Sequence, residues 1–206
     1  FILTGCAKNT TLDVDDINTL LDTHLKRETK LSNVSKTGYK YYAPSGVRTM
    51  ETNNYNEKIY YNGYNYYLFI DLVNYFYKGN IDYKVDNSLY YSKKISYNNK
   101  SGYLEIEEDK NLYRIEFYYN YSKIEAYVDL PNLKNTIINM CYILNSVTFN
   151  DKVIEIDIDS ENKKLEEEVY DFYTPRKEGN FIDYMTQYNE YVEKDDDKNI
   201  GNEGNE

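Results

Sequence analysis

The sequence predicts an α+β fold, in which an antiparallel β-sheet has helices packed on it. Some segments alternate apolar and polar residues with a period of two, others repeat apolar residues every three or four positions, and the connections are short. The 206 residues suit one domain of ordinary size. A hydrophobic content of 41%, with 17% aromatic residues, argues against wholesale disorder.

The N-terminal half predicts one helix and two strands. Residues 13–27 repeat apolar residues at helical spacing, with acidic residues at the start and basic residues at the end, as the helix dipole prefers. Residues 38–46 predict a short strand that ends in the turn Pro44-Ser45-Gly46. Residues 66–73 are almost continuously apolar, which predicts a central strand.

The clearest pattern follows in the middle of the chain. Residues 103–107 alternate with period two and predict a strand with one solvated face. Residues 112–129 predict a hairpin, because two alternating runs flank a turn near Asn120-Tyr121-Ser122. Pro131 then suits the first turn of a helix whose apolar stripe continues to Val147.

The C-terminal part is less regular. Residues 153–158 predict another strand, because three isoleucines alternate there. Residues 163–173 fit either a helix or a strand, and residues 181–192 predict a last amphipathic helix. The tail from residue 190 is polar, with seven acidic and two basic residues, which predicts a disordered extension.

The first residues are Phe1-Ile2, followed by Leu3-Thr4-Gly5-Cys6 and then by a polar stretch. This tetrapeptide resembles the lipobox of bacterial lipoproteins. The resemblance implies that a signal peptide is cleaved before Cys6 and that the Cys6 sulfur carries a diacylglyceryl group, with palmitate-type chains. It also implies that the protein is held on the extracytoplasmic face of the cell membrane, since two acyl chains suffice for stable anchoring.

Composition and layout extend this resemblance. The chain is rich in Asn, Lys, Ile and Tyr, with 27 tyrosines and no tryptophan, which indicates an AT-rich bacterial genome. In layout it resembles uncharacterised lipoproteins of AT-rich, low-GC Gram-positive bacteria. The element order over residues 38–150 resembles PsbP-like α/β/α sandwiches. We therefore assign residues 1–12 to the signal-peptide end, lipobox and spacer, residues 13–189 to one α+β domain with flanking helices, and residues 190–206 to the acidic tail.

The sequence contains no recognisable catalytic or metal-binding motif, and we predict no catalytic residue, metal or cofactor. His24 is the single histidine, and zinc sites and Ser-His-Asp triads need further partners at set positions. Cys141 lies in the apolar stripe of a helix, where a thiol is inert. Residues 157–168 echo a calcium-binding loop, but Asn162 stands where the turn needs glycine.

These observations predict a non-enzymatic binding or scaffolding domain. The net charge of −11 argues against nucleic-acid binding, and no apolar run approaches the ~18 residues of a membrane span. We expect Tyr90, Tyr91 and Tyr118 to be exposed and to contact a ligand such as an envelope glycan, peptide or protein.

Two alternatives stay open. One is a structural or assembly partner of a cell-envelope complex. The other is a hydrolase that uses paired carboxylates, drawn from the solvent-facing strand positions Glu105, Glu107, Glu116 and Glu125.

Overall fold

A seven-stranded antiparallel sheet lies at the centre of the computed structural model, which describes residues 12–160 and 165–170. These residues all belong to one structural unit, Phe1–Phe172. In chain order the elements are α1 (Val14–Leu25), β1 (Val34–Lys36), β2 (Tyr39–Tyr41), β3 (Arg48–Asn53), β4 (Asn56–Tyr61), β5 (Tyr64–Ile70), α2 (Leu72–Tyr77), β6 (Tyr91–Tyr97), β7 (Lys100–Asp109), β8 (Leu112–Tyr119), β9 (Ser122–Asp129), α3 (Leu130–Ser146), β10 (Thr148–Phe149) and α4 (Asp151–Ile158).

The large sheet has the strand order β3-β4-β5-β9-β8-β7-β6. Every neighbouring pair except β5–β9 consists of strands that are consecutive along the chain, and tight turns connect them. Two such turns are Asn62-Gly63 and Asn120-Tyr121, whose residues all have positive φ. Turns of this left-handed type match the twist of antiparallel strands, and Asn and Gly adopt them most readily.

The two long helices cover one face of the sheet, which we call the inner face. The Tyr66 hydroxyl on β5 lies 2.9 Å from the Thr136 hydroxyl on α3, and the Tyr91 hydroxyl on β6 donates to the Asn18 side chain on α1 over 2.9 Å. Strands and helices together form one apolar core, with buried Ile17, Leu21, Leu68, Leu104, Ile115, Phe117, Ile124, Ile137 and Leu144 among its members. The opposite side of the sheet is the outer face.

A second, three-stranded sheet has the order β1-β2-β10. It is tied to the large sheet through Glu57 of β4, which is completely buried on the inner face. The hydroxyls of Tyr39 and Tyr41 on β2 donate to its two carboxylate oxygens over 2.5 and 3.0 Å. The Lys36 ammonium of β1 lies 3.7 Å from the same carboxylate.

The predicted α+β class is confirmed, as are the N-terminal helix, the hairpin of residues 112–129 and the helix that follows it. Asp13 caps α1, and its side chain accepts a hydrogen bond from the Asp16 backbone. The strand predicted over residues 66–73 ends at Ile70, because the Asp71 side chain accepts from the Asn74 backbone and begins α2.

The strand predicted over residues 153–158 is wrong, since these residues belong to α4. Ile154 is buried, Ile158 packs four residues later, and Ile156 is 69% exposed. Burial therefore follows the period of a helix, although the sequence pattern of three alternating isoleucines is equally compatible with a strand.

Residues 165–170 form neither helix nor strand, so both readings of that segment are wrong for the residues described. The lipobox, the predicted helix of residues 181–192 and the acidic tail lie outside the described residues. The likeness to PsbP-like proteins stays a prediction.

Candidate functional site

A cluster of charged side chains lies in the middle of the outer face. Arg114 and Glu116 come from β8, and Lys123 and Glu125 come from β9. Glu116 and Glu125 stand directly opposite each other in the strand register. Because side chains alternate between the two faces of a strand, all four point away from α3. We call these four residues the charge cluster.

The two cations and two carboxylates of the charge cluster pair with each other. One guanidinium nitrogen of Arg114 lies 3.2 Å from both carboxylates, and the Lys123 ammonium lies 3.9 Å from Glu116 and 3.6 Å from Glu125. The side chains of Glu116, Lys123 and Glu125 are only 14–16% exposed. Glu116 and Glu125 thus occupy the predicted face, but other parts of the chain cover them.

The pKa values of the two glutamates move in opposite directions. Burial, followed by a hydrogen bond to Glu116, raises the pKa of Glu125. Burial acts against ionisation of Glu116 too, but a hydrogen bond from the Tyr103 hydroxyl and the charge of Lys123 outweigh it and lower the pKa of Glu116. Because the two carboxyl groups interact, protons are taken up by the pair as a unit.

Stacked tyrosines lie beside the charge cluster. The rings of Tyr103 and Tyr118 stack with centroids 5.9 Å apart. Tyr83, from the connection between α2 and β6, stacks on the other side of Tyr103 at 4.2 Å. The Tyr118 hydroxyl donates to the Asp71 carboxylate over 3.1 Å, and burial, followed by the charge of Asp71, raises the pKa of Tyr118.

The predicted exposure of the ligand-contact tyrosines is wrong for Tyr91 and Tyr118, which are 4% and 7% exposed. Tyr91 lies on the inner face beneath α1, and Tyr118 lies on the outer face. Tyr90 is half-buried, with its hydroxyl on the Leu12 carbonyl and its ring edge-on to Tyr113. The structure therefore does not bring the three together, and their contact with a ligand stays a prediction.

The stretch Leu165–Tyr170, which forms neither helix nor strand and bends at Glu166, lies on the outer face next to the charge cluster. We call it the acidic segment, because it contains three consecutive glutamates. The side-chain amide of Asn56 on β4 donates to the Glu166 carbonyl over 3.1 Å and accepts from the Glu168 backbone N–H over 3.0 Å. A single buried side chain thus makes both hydrogen bonds that a neighbouring strand would supply.

Two side chains of the acidic segment, Glu167 and Tyr170, strengthen the attachment. The Glu167 carboxylate lies 2.6 Å from the Lys123 ammonium. The ring of Tyr170 stacks on Tyr67 of β5, with centroids 4.2 Å apart and planes inclined by 16°. Sequence reasoning missed Asn56, Tyr67 and Lys123 as site residues. Alternation in the hairpin could have placed Lys123 on the outer face, but no local pattern marks Asn56.

The other predicted features lie apart from this site. The His24 ring contacts Tyr142 edge-on at 5.1 Å, and burial, followed by the charge of Arg27, lowers its pKa. Cys141 is a free, fully buried thiol whose pKa is raised by burial, in line with the inert role predicted for it.

Two cavities lie away from the charge cluster. One of about 510 Å³ is next to the small sheet and the start of α4, and its lining includes Lys36, Lys40 and Lys152. One of about 350 Å³ lies between α1 and β6, and its lining includes Asn18 and Lys93.

Three further findings concern metal ions, membrane spans and similarity to known proteins. Within residues 12–160 and 165–170, no group of three or more His, Cys, Asp or Glu side chains is arranged to hold a metal ion. No helix in the described part of the chain has the length and apolar character of a membrane span. Comparison of the chain with protein-family models, curated proteins and solved structures found no match.

Proposed function

We propose that this protein is a membrane-anchored extracytoplasmic lipoprotein whose domain is a non-enzymatic binding module, with the outer face of the sheet as its binding surface. The attachment of the acidic segment carries the proposal. That face holds a segment of polypeptide through side chains of three strands, without strand pairing. The lipobox-like sequence Leu3-Thr4-Gly5-Cys6 supports the anchor.

The chemistry of the outer face also supports a binding role. An antiparallel sheet commonly has one apolar face and one polar, solvated face, and the inner face here is apolar. The outer face instead carries opposed charges and stacked tyrosine rings that are largely shielded from water. Tyrosine and arginine are enriched where proteins bind each other, because they combine large contact areas with directed polar groups.

The geometry of Glu116 and Glu125 favours binding over hydrolysis. One guanidinium nitrogen of Arg114 lies 3.2 Å from both carboxylates, and the Lys123 ammonium lies 3.9 and 3.6 Å from them, so ion pairs within the sheet hold both groups. Neither of the cavities of about 510 and 350 Å³ is lined by Glu116 or Glu125, whereas the carboxylates of a hydrolase face the pocket that holds the substrate. If this protein is instead an assembly partner of a cell-envelope complex, it would use the same outer face. Only the molecule bound there would differ.

Replacing Cys6 tests the anchor. When the full-length precursor is made in a Gram-positive host, we expect the wild-type protein to enter the detergent phase and to carry a diacylglyceryl mass on Cys6. The Cys6→Ala variant should stay in the aqueous phase, because one lipid-modified cysteine supplies all the membrane affinity. Cys141→Ala is the matched control and should behave as the wild type. The anchor is wrong if wild type and Cys6→Ala both remain aqueous.

Site-specific cross-linking in intact cells tests the binding surface. A photo-reactive residue in place of the half-buried, outer-face Glu105 should form cross-links to an envelope component. The same residue in place of Lys134, which is exposed on α3, should not, because α3 covers the inner face. Equal cross-linking from the two positions would contradict the assignment of the outer face.

A further inference from the structure

We propose that the outer face binds an extended peptide of another polypeptide, one that carries a carboxylate three residues before an aromatic ring, and that the acidic segment occupies this site when the partner is absent. The inference rests on the binding function proposed above and names the ligand class of the same surface. Three contacts define the ligand, and they are made by Asn56, Lys123 and Tyr67. Each contact recognises a different part of a bound peptide.

The first contact reads the peptide backbone. The Asn56 amide bonds a carbonyl and an N–H two residues apart, at Glu166 and Glu168. Neither bond involves the side chains of those residues, so any residue other than proline fits at the second position. Asn56 is 3% exposed, which holds its amide in one orientation. This contact therefore selects an extended conformation and not a particular sequence.

The second contact reads a carboxylate. The Lys123 ammonium lies 2.6 Å from Glu167, and Glu116 and Glu125 flank it. Its side chain is only 14% exposed, and a charge pair in such a shielded position is stronger than one in open solvent. A neutral or basic residue at the Glu167 position would leave Lys123 without this partner.

The third contact reads an aromatic ring. Tyr170 stacks on Tyr67, which is 8% exposed, and the ring lies three residues after the carboxylate of Glu167. Offset stacking of this kind adds to the gain from burying the ring. The carboxylate and the ring together fix the register of a bound peptide.

The acidic segment is attached in a way that permits exchange. It pairs with no strand, and its side chains at Glu166 and Val169 point into solvent, with Val169 97% exposed. Besides the three contacts, Asn53 donates to Glu168, and Leu165 packs against the edge of the core. A stretch with so few buried apolar contacts opens at low free-energy cost. A partner peptide with the same features can therefore take its place.

Fluorescence anisotropy with a labelled nine-residue peptide, copied from residues 164–172, tests the proposal on the full-length protein. The double variant Glu167→Ala/Tyr170→Ala, which releases the acidic segment, should bind the peptide at least about tenfold more tightly than the wild type, because the internal competitor is weakened. The matched control Glu166→Ala/Val169→Ala changes only exposed side chains of the same segment and should bind as the wild type does. Adding Lys123→Ala to the double variant should abolish binding, as should a peptide with Gln and Ala at the positions of Glu167 and Tyr170.

Three results of the experiments on the purified protein would overturn the proposal. One is equal affinity of the double variant and the wild type while their circular dichroism spectra agree. Another is binding that survives Lys123→Ala. The third is a wild-type dimer that the double variant converts to a monomer, because the occupant would then be a second copy of this chain. Cross-links from position 105 to a glycan or another non-peptide ligand would leave the binding function standing while this ligand class fails.

Discussion

The protein is expected to unfold in one steep, cooperative transition as the pH rises from about 10 to about 11.5. The cause is its set of buried tyrosines, whose phenol groups ionise at a higher pH inside the fold than in water. Burial is the largest cause of the raised pKa in each case, and it raises the pKa of Tyr66 to about 12 from the ordinary value of 10.0. Among the buried tyrosines the increase is largest for seven: Tyr39, Tyr41, Tyr55, Tyr66, Tyr91, Tyr118 and Tyr119.

The direction of the effect follows from proton binding in the two states. In the unfolded chain these tyrosines ionise near pH 10, whereas in the folded chain they stay protonated, so their stabilising contribution is intact below pH 10 and is lost as the pH rises above it. At pH 11 each one lowers the free energy of unfolding by about 1.4 kcal/mol. Seven together remove about 10 kcal/mol, which equals the entire stability of a typical domain.

Tyrosinate absorbance and far-ultraviolet circular dichroism, followed together during an alkaline titration, measure this effect. A first group of exposed tyrosines should ionise gradually, and the buried group should ionise only as the dichroism signal is lost. A Tyr119→Phe variant should show one tyrosine fewer in the cooperative step. Gradual ionisation of all tyrosines in a protein that keeps its dichroism would contradict the burial described here.

Replacing Glu57 with alanine should lower the free energy of unfolding by about 3–5 kcal/mol. The carboxylate is fully buried, and it accepts hydrogen bonds from Tyr39 and Tyr41 while Lys36 lies 3.7 Å away. Its removal leaves the buried Tyr39 hydroxyl without this acceptor, leaves Tyr41 with the Thr49 hydroxyl at 3.2 Å, and takes away the charge opposite Lys36. Because Glu57 connects the two sheets, the contacts between the sheets should be weakened most.

Urea unfolding at neutral pH measures the loss. Glu57→Gln keeps an acceptor for one phenol and should be less destabilising than Glu57→Ala. The matched control is Glu51→Ala on the neighbouring strand, where a glutamate side chain that is 73% exposed faces Lys58 at 4.0 Å. That change should alter the free energy of unfolding by no more than about 0.5 kcal/mol. A loss below about 1 kcal/mol for Glu57→Ala would contradict the buried network.

Local patterns predicted those parts of the fold that depend on local contacts. The hairpin of residues 112–129 was predictable because its two strands follow each other and alternate regularly around a short turn. The edge strand β3 was not, because one residue after another from Arg48 to Asn53 is polar or exposed and no alternation exists. The isoleucines of α4 fit two periods, and only their packing against distant residues decided between them.

The same distinction holds for the site. Alternation placed Glu116 and Glu125 on one face, and the structure confirms that they share it. The cover of that face comes from Tyr83 and from the acidic segment, which lie far from β8 and β9 in the sequence. For that reason the burial of Tyr118 and the pairing of Lys123 with Glu167 could not be predicted from the strands themselves.

The strand order of the large sheet also has a consequence for how the chain reaches its native state. Hairpins with short turns form quickly, because closing a short loop costs little entropy, whereas the β5–β9 junction joins residues about fifty positions apart, such as Ile70 and Ser122. We therefore expect two hairpin arrays to form first and to meet late at that junction. Tyr67 lies on one side of it and Lys123 on the other, so a newly made chain acquires the complete peptide site only at the last step of folding, and partly folded chains cannot compete for its partners.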